Sequence, residues 1–164
     1  MYQIGDRVVY GSHGVCTIVS EEERLIDRKR IRYFVLEPIH QSTAQYLVPA
    51  ENPAALAKLR HLISKEELSA LLASSEIRES CWIPDENVRK QRYRELITSS
   101  DRVALLRMIN TLHQHKVRQV EAGRKFHLCD ENFLHDAEKL LTAEFSLVLG
   151  IEPSEVEGYI LRML

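Results

Sequence analysis

The hydrophobic pattern of this chain changes at Pro49, and this change restricts the folds that the chain can adopt. Before Pro49, β-branched and apolar runs at residues 7–10, 15–20, 31–36 and 45–48 are separated by polar connectors and predict strands. Several short strands joined by short turns are typical of a small, strongly bent sheet or barrel. Proline cannot donate a hydrogen bond to a sheet ladder, so Pro49 predicts the end of the sheet.

Beyond Pro49 the apolar residues recur at helical spacing. Residues 54–59 indicate a short helix, and Ser64 with Glu67 forms a capping box that predicts a helix over residues 65–73. The Ser-rich stretch 74–84 predicts a hinge. Four further helices are predicted to begin at Pro84, after Asp101, near Asp130 and at Pro153.

These patterns predict an α+β fold in which a small β-rich domain is followed by an all-helical bundle domain. The chain has 164 residues, which is enough for two small domains. The β-rich part alone is small for an independent core. We therefore expect the short helix after Pro49 to pack onto it, which gives domains of residues 1–60 and 61–164.

Cysteine usage and the lengths of the apolar runs restrict the location of the protein. Cys16, Cys81 and Cys129 are odd in number and far apart, which does not suit a disulfide framework and favours reduced thiols. No window approaches the roughly 18 consecutive apolar residues of a membrane span, and the start lacks the layout of a secretory signal. A cytoplasmic protein without membrane contact is expected.

No motif in the sequence predicts catalysis. A Gly-rich phosphate loop, a paired-carboxylate signature and a GxSxG elbow are all absent. Several residues invite a metal or thiol hypothesis but match no regular ligand spacing, namely His113, His115, His127, Cys129 and His135. We expect no enzyme activity, no cofactor and no metal, and a metal- or thiol-dependent enzyme stays an alternative on these residues alone.

Charge is distributed unevenly along the chain. The net charge is −2, so whole-chain electrostatics do not attract nucleic acid. Residues 89–125, however, carry ten basic and three acidic side chains. This segment is a candidate phosphate-binding surface, although charges on a helix are also commonly a solvated face.

Five features, in this order along the chain, resemble the CarD/CdnL family of bacterial transcription regulators. They are GDRVVYGSHGVCTIV near the start, LVPAENPAALAKLR after the last strand, one tryptophan before a basic helix, an SSD cap, and AEFSLVLGIEPSEVEGYI at the end. The resemblance covers nearly the whole chain, and the first feature is also similar to the polymerase-interacting domain of transcription-repair coupling factor. The resemblance implies a Tudor/SH3-like barrel that docks on the RNA polymerase β subunit. It also implies a helical domain that contacts promoter DNA at the upstream edge of the melted region.

Trp82 is the sole tryptophan, and it lies in Ser-Cys-Trp-Ile-Pro, outside any apolar stripe. A sole tryptophan is usually a packing residue, but a large flat side chain beside a basic helix can also wedge between base steps in the minor groove. The resemblance implies the wedge. The other predicted DNA-binding residues are basic, namely Arg89, Lys90, Arg92, Arg94, Lys116, Arg118, Arg124 and Lys125. Phosphate contacts carry little sequence information, so binding should be weak, salt-sensitive and not sequence-specific.

The resemblance also implies polymerase contacts in the first domain. Arg24 lies at the family position of a basic residue that helps to hold polymerase. Tyr46 and Leu47 lie on the last predicted strand, whose edge can accept a partner strand. Solvation of Arg24 and packing of Tyr46 and Leu47 remain alternatives. We expect a monomer that associates with the nucleoid through RNA polymerase.

The sequence thus predicts a non-catalytic transcription regulator that stabilises the open promoter complex. The alternative from a different class is a protein–protein adaptor that makes no DNA contact. The net charge favours the adaptor, and the position of Trp82 disfavours it.

Overall fold

The chain forms two compact units, Met1–Leu62 and Ile63–Leu164, in a computed structural model. The structure describes residues 1–39 and 43–163. The first unit is a β-sheet with one short helix and the second is helical, so the predicted α+β class is confirmed. The boundary between the units follows Leu62, whereas the sequence placed it after residue 60.

The described elements of the first unit are β1 (Arg7–Tyr10), β2 (Val15–Ile26), β3 (Lys29–Pro38), β4 (Tyr46–Pro49), α1 (Pro53–Leu56) and β5 (Leu59–His61). The strands form an antiparallel sheet with the order β4-β3-β2-β1-β5. Helix α1 follows β4, and Asn52 caps it by accepting hydrogen bonds from the amides of Ala54 and Ala55. A core of eight buried residues lies against this sheet: Val8, Cys16, Ile18, Phe34, Leu36, Val48, Ala50 and Leu59.

The sheet is open, and the predicted closed barrel is not confirmed. Strands β4 and β5 are its two edges, and no ladder joins them within residues 1–39 and 43–62. Strand β5 itself was missed, because Leu59 follows α1 at a spacing that also fits a helix. Leu59 instead pairs with Tyr10 in the ladder between β5 and β1. The tertiary pairing of β5 outweighs the local helical pattern.

Over residues 63–163 the second unit is a bundle of five helices. Their ranges are α2 (Lys65–Ala73), α3 (Glu86–Ser99), α4 (Arg102–Glu121), α5 (Leu128–Leu149) and α6 (Pro153–Met163). Ser64, Asp85 and Asp101 cap the first three of these helices through their side-chain oxygens. No helix in the described part of the chain is both long enough and apolar enough to cross a membrane.

A single buried cluster holds the five helices together. Tyr93 of α3, Leu106 and Met108 of α4 and Phe145 of α5 are all fully buried in it. Glu144, which is 1% exposed, accepts a hydrogen bond from the amide of Ile63 at 2.9 Å. The carboxylate of Glu144 also pairs with the guanidinium of Arg102, with 2.8 Å between Nε and Oε1.

Residues 74–84, predicted to be a hinge, lie inside the helical unit and do not separate the two units. A 3-10 turn at Glu76–Arg78 buries Ile77 completely in the helical core. The guanidinium of Arg78 donates hydrogen bonds to the carbonyl groups of Ser74 at 2.8 Å and Met163 at 2.7 Å. Serine and proline therefore mark an irregular but anchored connection here.

Phe145→Ala should lower the free energy of unfolding by roughly 3–5 kcal/mol, because removal of a fully buried ring leaves a cavity. The matched control is Leu128→Ala, since Leu128 is 75% exposed, and its effect should stay within about 0.5 kcal/mol. Urea denaturation followed by far-UV circular dichroism measures both. Equal losses in the two variants would contradict the burial that the fold assigns to Phe145.

Candidate functional site

The backbone around Trp82 is held by side chains of two helices. Thr111 of α4 accepts a hydrogen bond from the amide of Cys81 through Oγ1 at 3.0 Å. On α3, the hydroxyl of Tyr93 donates to the carbonyl of Cys81 at 3.4 Å, and Nη1 of Arg89 donates to the carbonyl of Ile83 at 2.9 Å. Trp82 therefore lies between two residues whose backbone groups are tied to the bundle.

The half-buried indole of Trp82 contacts two further side chains. The imidazole of His115 stacks on it with 3.7 Å between ring centroids and 20° between the planes. The guanidinium carbon of Arg89 lies 4.3 Å from the indole centroid, which is a cation–π geometry. The ring has a defined position, and part of its surface remains exposed.

Arg89 is buried by an ion pair with Asp130. The Nε–Oδ1 distance is 2.9 Å and the Nη2–Oδ2 distance is 3.1 Å, so the pair is bidentate. Arg89 is 3% exposed and Asp130 is 0% exposed. Burial acts to lower the pKa of Arg89, but the hydrogen bonds and charge of Asp130 outweigh it and the pKa is raised. Arg89, expected to meet a DNA phosphate, is instead occupied inside the bundle in this conformation.

The pKa of His115 lies below its ordinary value. Burial is the largest cause, and the charge of Asp130 acts in the opposite direction. The nearby charges of Arg89, Arg118 and His127 lower this pKa further. The sequence suggests a role for His115 only as a metal ligand. Within residues 1–39 and 43–163, no group of three or more His, Cys, Asp or Glu side chains is placed to hold a metal ion.

Three of the predicted DNA-binding residues form surface ion pairs. Lys90 pairs with Glu86 at 3.2 Å, Arg92 with Glu95 at 3.3 Å and Lys116 with Glu131 at 3.0 Å. Exposed pairs of this kind contribute about 0–1 kcal/mol, so a phosphate can replace the carboxylate at small cost. The remaining four are exposed, namely Arg94, Arg118, Arg124 and Lys125.

Ring contacts through His115 and Phe126 connect Trp82 to one residue of this basic set, Lys116. The Phe126 ring centroid lies 6.1 Å from that of His115, and Nζ of Lys116 lies 5.9 Å from the Phe126 centroid. Arg124 and Lys125 directly precede Phe126 in the α4–α5 connection. We name Trp82, His115, Lys116 and residues 124–126 the indole surface.

Arg92 and Arg94 lie outside the indole surface as defined. They flank Tyr93, which is fully buried, and an α-helix turns 100° per residue, so their side chains leave α3 on opposite sides. The basic residues of α3 therefore do not share one face.

Asp130 lies in the first turn of α5, as its sequence position predicts, but its ion pair with Arg89 was not predicted. Its position near the start of α5 predicted only a favourable interaction with the helix dipole. Its partner Arg89 lies 41 residues earlier on another helix. A single sequence carries no signal for such a long-range pair. It shows only that Arg89 lies about one helical turn after Pro84 and the capping residue Asp85.

The predicted polymerase-binding residues lie on two parts of the sheet. Arg24 is on the β2–β3 hairpin, whose residues 21–30 are all exposed, and it pairs with Glu22 at 3.3 Å. Tyr46 and Leu47 lie on edge strand β4 and are half-buried. The ring of Tyr46 contacts His13 with 4.6 Å between centroids, so it is partly used in packing.

Comparison with known families identifies the class of the first unit. Residues 2–63 match the family model of the CarD-like/TRCF RID domain, a match that coincides with the sheet unit. The resemblance drawn from the sequence is thus confirmed for these residues and is consistent with a CarD-like protein. The domain family is a protein-interaction family with a transcription-related, RNA polymerase-interacting function. No curated protein matches the chain.

The fluorescence of Trp82 should change with pH as the stacked His115 gains a proton. The midpoint should lie below 6.5, because the pKa of His115 is lowered from that value. In this window the unfolded chain binds more protons than the native state, so the contribution of His115 to stability should fall as the pH drops through 6.5.

His115→Asn should abolish this fluorescence transition. His113→Asn is the matched control on the same helix and should leave it unchanged. A transition of full amplitude in the His115 variant would show that another group is responsible.

Proposed function

We propose that this protein is a bacterial transcription regulator that docks on the RNA polymerase β subunit and stabilises the open promoter complex by contacting DNA with its helical unit. The observation that carries the proposal is the match of residues 2–63 to an RNA polymerase-interacting domain. The helical unit supplies the second contact, at the upstream edge of the melted DNA. The protein acts by binding and not by catalysis.

The docking surface that we propose for polymerase is the β4 edge together with the β2–β3 hairpin. Strand β4 pairs only with β3 among the described strands, so its outer edge offers backbone donors and acceptors to a partner strand. Arg24 on the hairpin supplies a charge, which steers association more than it adds affinity. Tyr46 and Leu47 would shape the same edge.

The DNA-contacting part that we propose is the indole surface. Trp82 has a defined ring position with an exposed part, which is what a wedge between base steps requires. Lys116 lies near the Phe126 ring, and the exposed Arg124 and Lys125 precede Phe126 in the chain, so these three cations would meet phosphates. Lys90, Arg92, Arg94 and Arg118 would add long-range attraction from the flanks. Arg89 is removed from the contact set because its guanidinium is buried against Asp130.

The mechanism is differential binding. Contacts that form with the melted promoter and not with the closed duplex shift the equilibrium towards the open state. A few phosphate contacts give weak and salt-sensitive binding. Docking on polymerase raises the effective concentration of DNA to about millimolar order, so a weak intrinsic affinity is sufficient. A net charge of −2 is compatible with this tethered mechanism.

A fragment of residues 1–62 should capture the isolated polymerase β subunit, because this fragment contains all five strands and the complete first core. A pull-down measures capture, and circular dichroism confirms that the fragment is folded. The fragment of residues 63–164 is the matched control and should not capture the β subunit. A folded first fragment that fails to bind, while the full chain binds, would contradict the docking assignment.

Trp82→Ala should shorten the lifetime of the open complex while leaving capture of polymerase unchanged. The physical reason is that the wedge is lost and the docking surface is untouched. The measurement is the decay of heparin-resistant complexes at a promoter. Tyr159→Ala is the matched control, since Tyr159 is another half-buried aromatic residue packed on the same core. Equal lifetimes in the wild-type and Trp82 variant would favour the adaptor without DNA contact.

A further inference from the structure

The buried side chain of Arg89 contacts Trp82 and the two residues that follow it. Arg89 donates through Nη1 to the carbonyl of Ile83 at 2.9 Å and to that of Pro84 at 3.4 Å. Its guanidinium carbon also lies 4.3 Å from the indole centroid. One residue therefore fixes both the backbone that follows Trp82 and the position of the ring.

We propose that Arg89 and Asp130 are positioning residues for Trp82: the carboxylate fixes the guanidinium, and the guanidinium fixes the indole. The consequence for transcription rests on the proposed function, but the positioning itself does not. Neither residue needs to touch DNA. Asp130, which is 0% exposed, would then control how well a distant surface residue binds.

The planar shape of the guanidinium explains why arginine occupies this position. Nε and Nη2 donate to the two carboxylate oxygens of Asp130, which fixes the plane of the group. Nη1 then has a fixed direction towards the Ile83 and Pro84 carbonyl groups. A lysine at position 89 keeps the charge but not the fork, so it cannot reproduce these contacts together.

The buried pair is better explained by conformational specificity than by stability. Removing two charges from water is costly, and apolar replacements of buried ion pairs are often neutral or stabilising. An ion pair that fixes the position of the indole before DNA binds offers a different advantage. A side chain already fixed in the free protein loses less conformational freedom on binding, which preserves affinity.

The test uses Arg89→Lys and Asp130→Asn in the full-length protein. Trp82 is the only tryptophan, so emission maximum and iodide quenching report on this ring alone. Both variants should show increased quenching and a shifted emission maximum at temperatures where far-UV circular dichroism shows the fold intact. The matched control is Glu144→Gln, which weakens the other buried arginine–carboxylate pair of the same unit, between Arg102 and Glu144.

An altered emission in both test variants and an unchanged emission in Glu144→Gln would support the positioning role. Equal emission changes in all three variants would mean general loosening of the bundle and would overturn the positioning role. An unchanged emission in Arg89→Lys would also overturn it. Open-complex lifetime should fall by about two- to thirty-fold in both test variants, the range set by a cation–π contact. If Arg89→Lys keeps the wild-type open-complex lifetime while Asp130→Asn shortens it, only the charge at position 89 matters. That result overturns the proposal.

Failure of the proposed function has a different result. If Trp82→Ala leaves open-complex lifetime unchanged, the wedge is lost as a mechanism. The fluorescence comparison of Arg89→Lys, Asp130→Asn and Glu144→Gln still decides whether Arg89 positions the indole.

Discussion

The bidentate ion pair between Arg89 and Asp130 links the start of α3 to the start of α5. Both side chains are buried, and a buried charge without a partner is strongly destabilising. Loss of either partner leaves a buried charge, which typically costs 3–5 kcal/mol, so the two helix ends are fixed relative to each other. The connection 81–84 runs beside this pair and is tied to it through Ile83. The position of Trp82 thus depends on an interaction between helices as well as on its own loop, where the amide of Trp82 donates to Oγ of Ser80 at 3.3 Å.

A second buried pair has a parallel role in the same unit. Glu144 of α5 binds Arg102 at the start of α4 and also accepts the amide of Ile63, the first residue of the helical unit. Helix α5 therefore carries two buried carboxylates, and each is paired with an arginine near the start of another helix. Polar contacts of this kind define helix register where apolar side chains permit several arrangements.

Local features of the fold were predictable because their causes lie within a few residues. Ser64 caps α2 and Asp101 caps α4, as the sequence predicts. Gly150 ends α5 in the left-handed region, which glycine adopts readily. Features that depend on distant partners were not predictable. Leu59 pairs with Tyr10 across the sheet, and sheet closure depends on whether the two edge strands meet.

The candidate site follows the same division. Trp82 was identifiable because a sole tryptophan outside any apolar stripe is unusual in an otherwise regular pattern. The burial of Arg89 was not predictable, because a basic residue on a polar helix has the same local sequence whether it is exposed or buried. Asp130, 41 residues away, decides between the two. His115 became informative only when its ring was found 3.7 Å from the indole.

Burial of Arg89 also changes the electrostatics of the proposed DNA contact. The charge of Arg89 is neutralised by Asp130, and Lys116 is paired with Glu131. The exposed cations that remain, next to Phe126 in the sequence, are Arg124 and Lys125. A small phosphate-binding set supplies little affinity for uniform duplex. Under the proposed function, selectivity would come from the wedge, because unstacking costs least where base pairs are already disrupted. A fixed indole beside a sparse basic surface is therefore suited to the edge of a melted region, where the polymerase-docked domain would hold it.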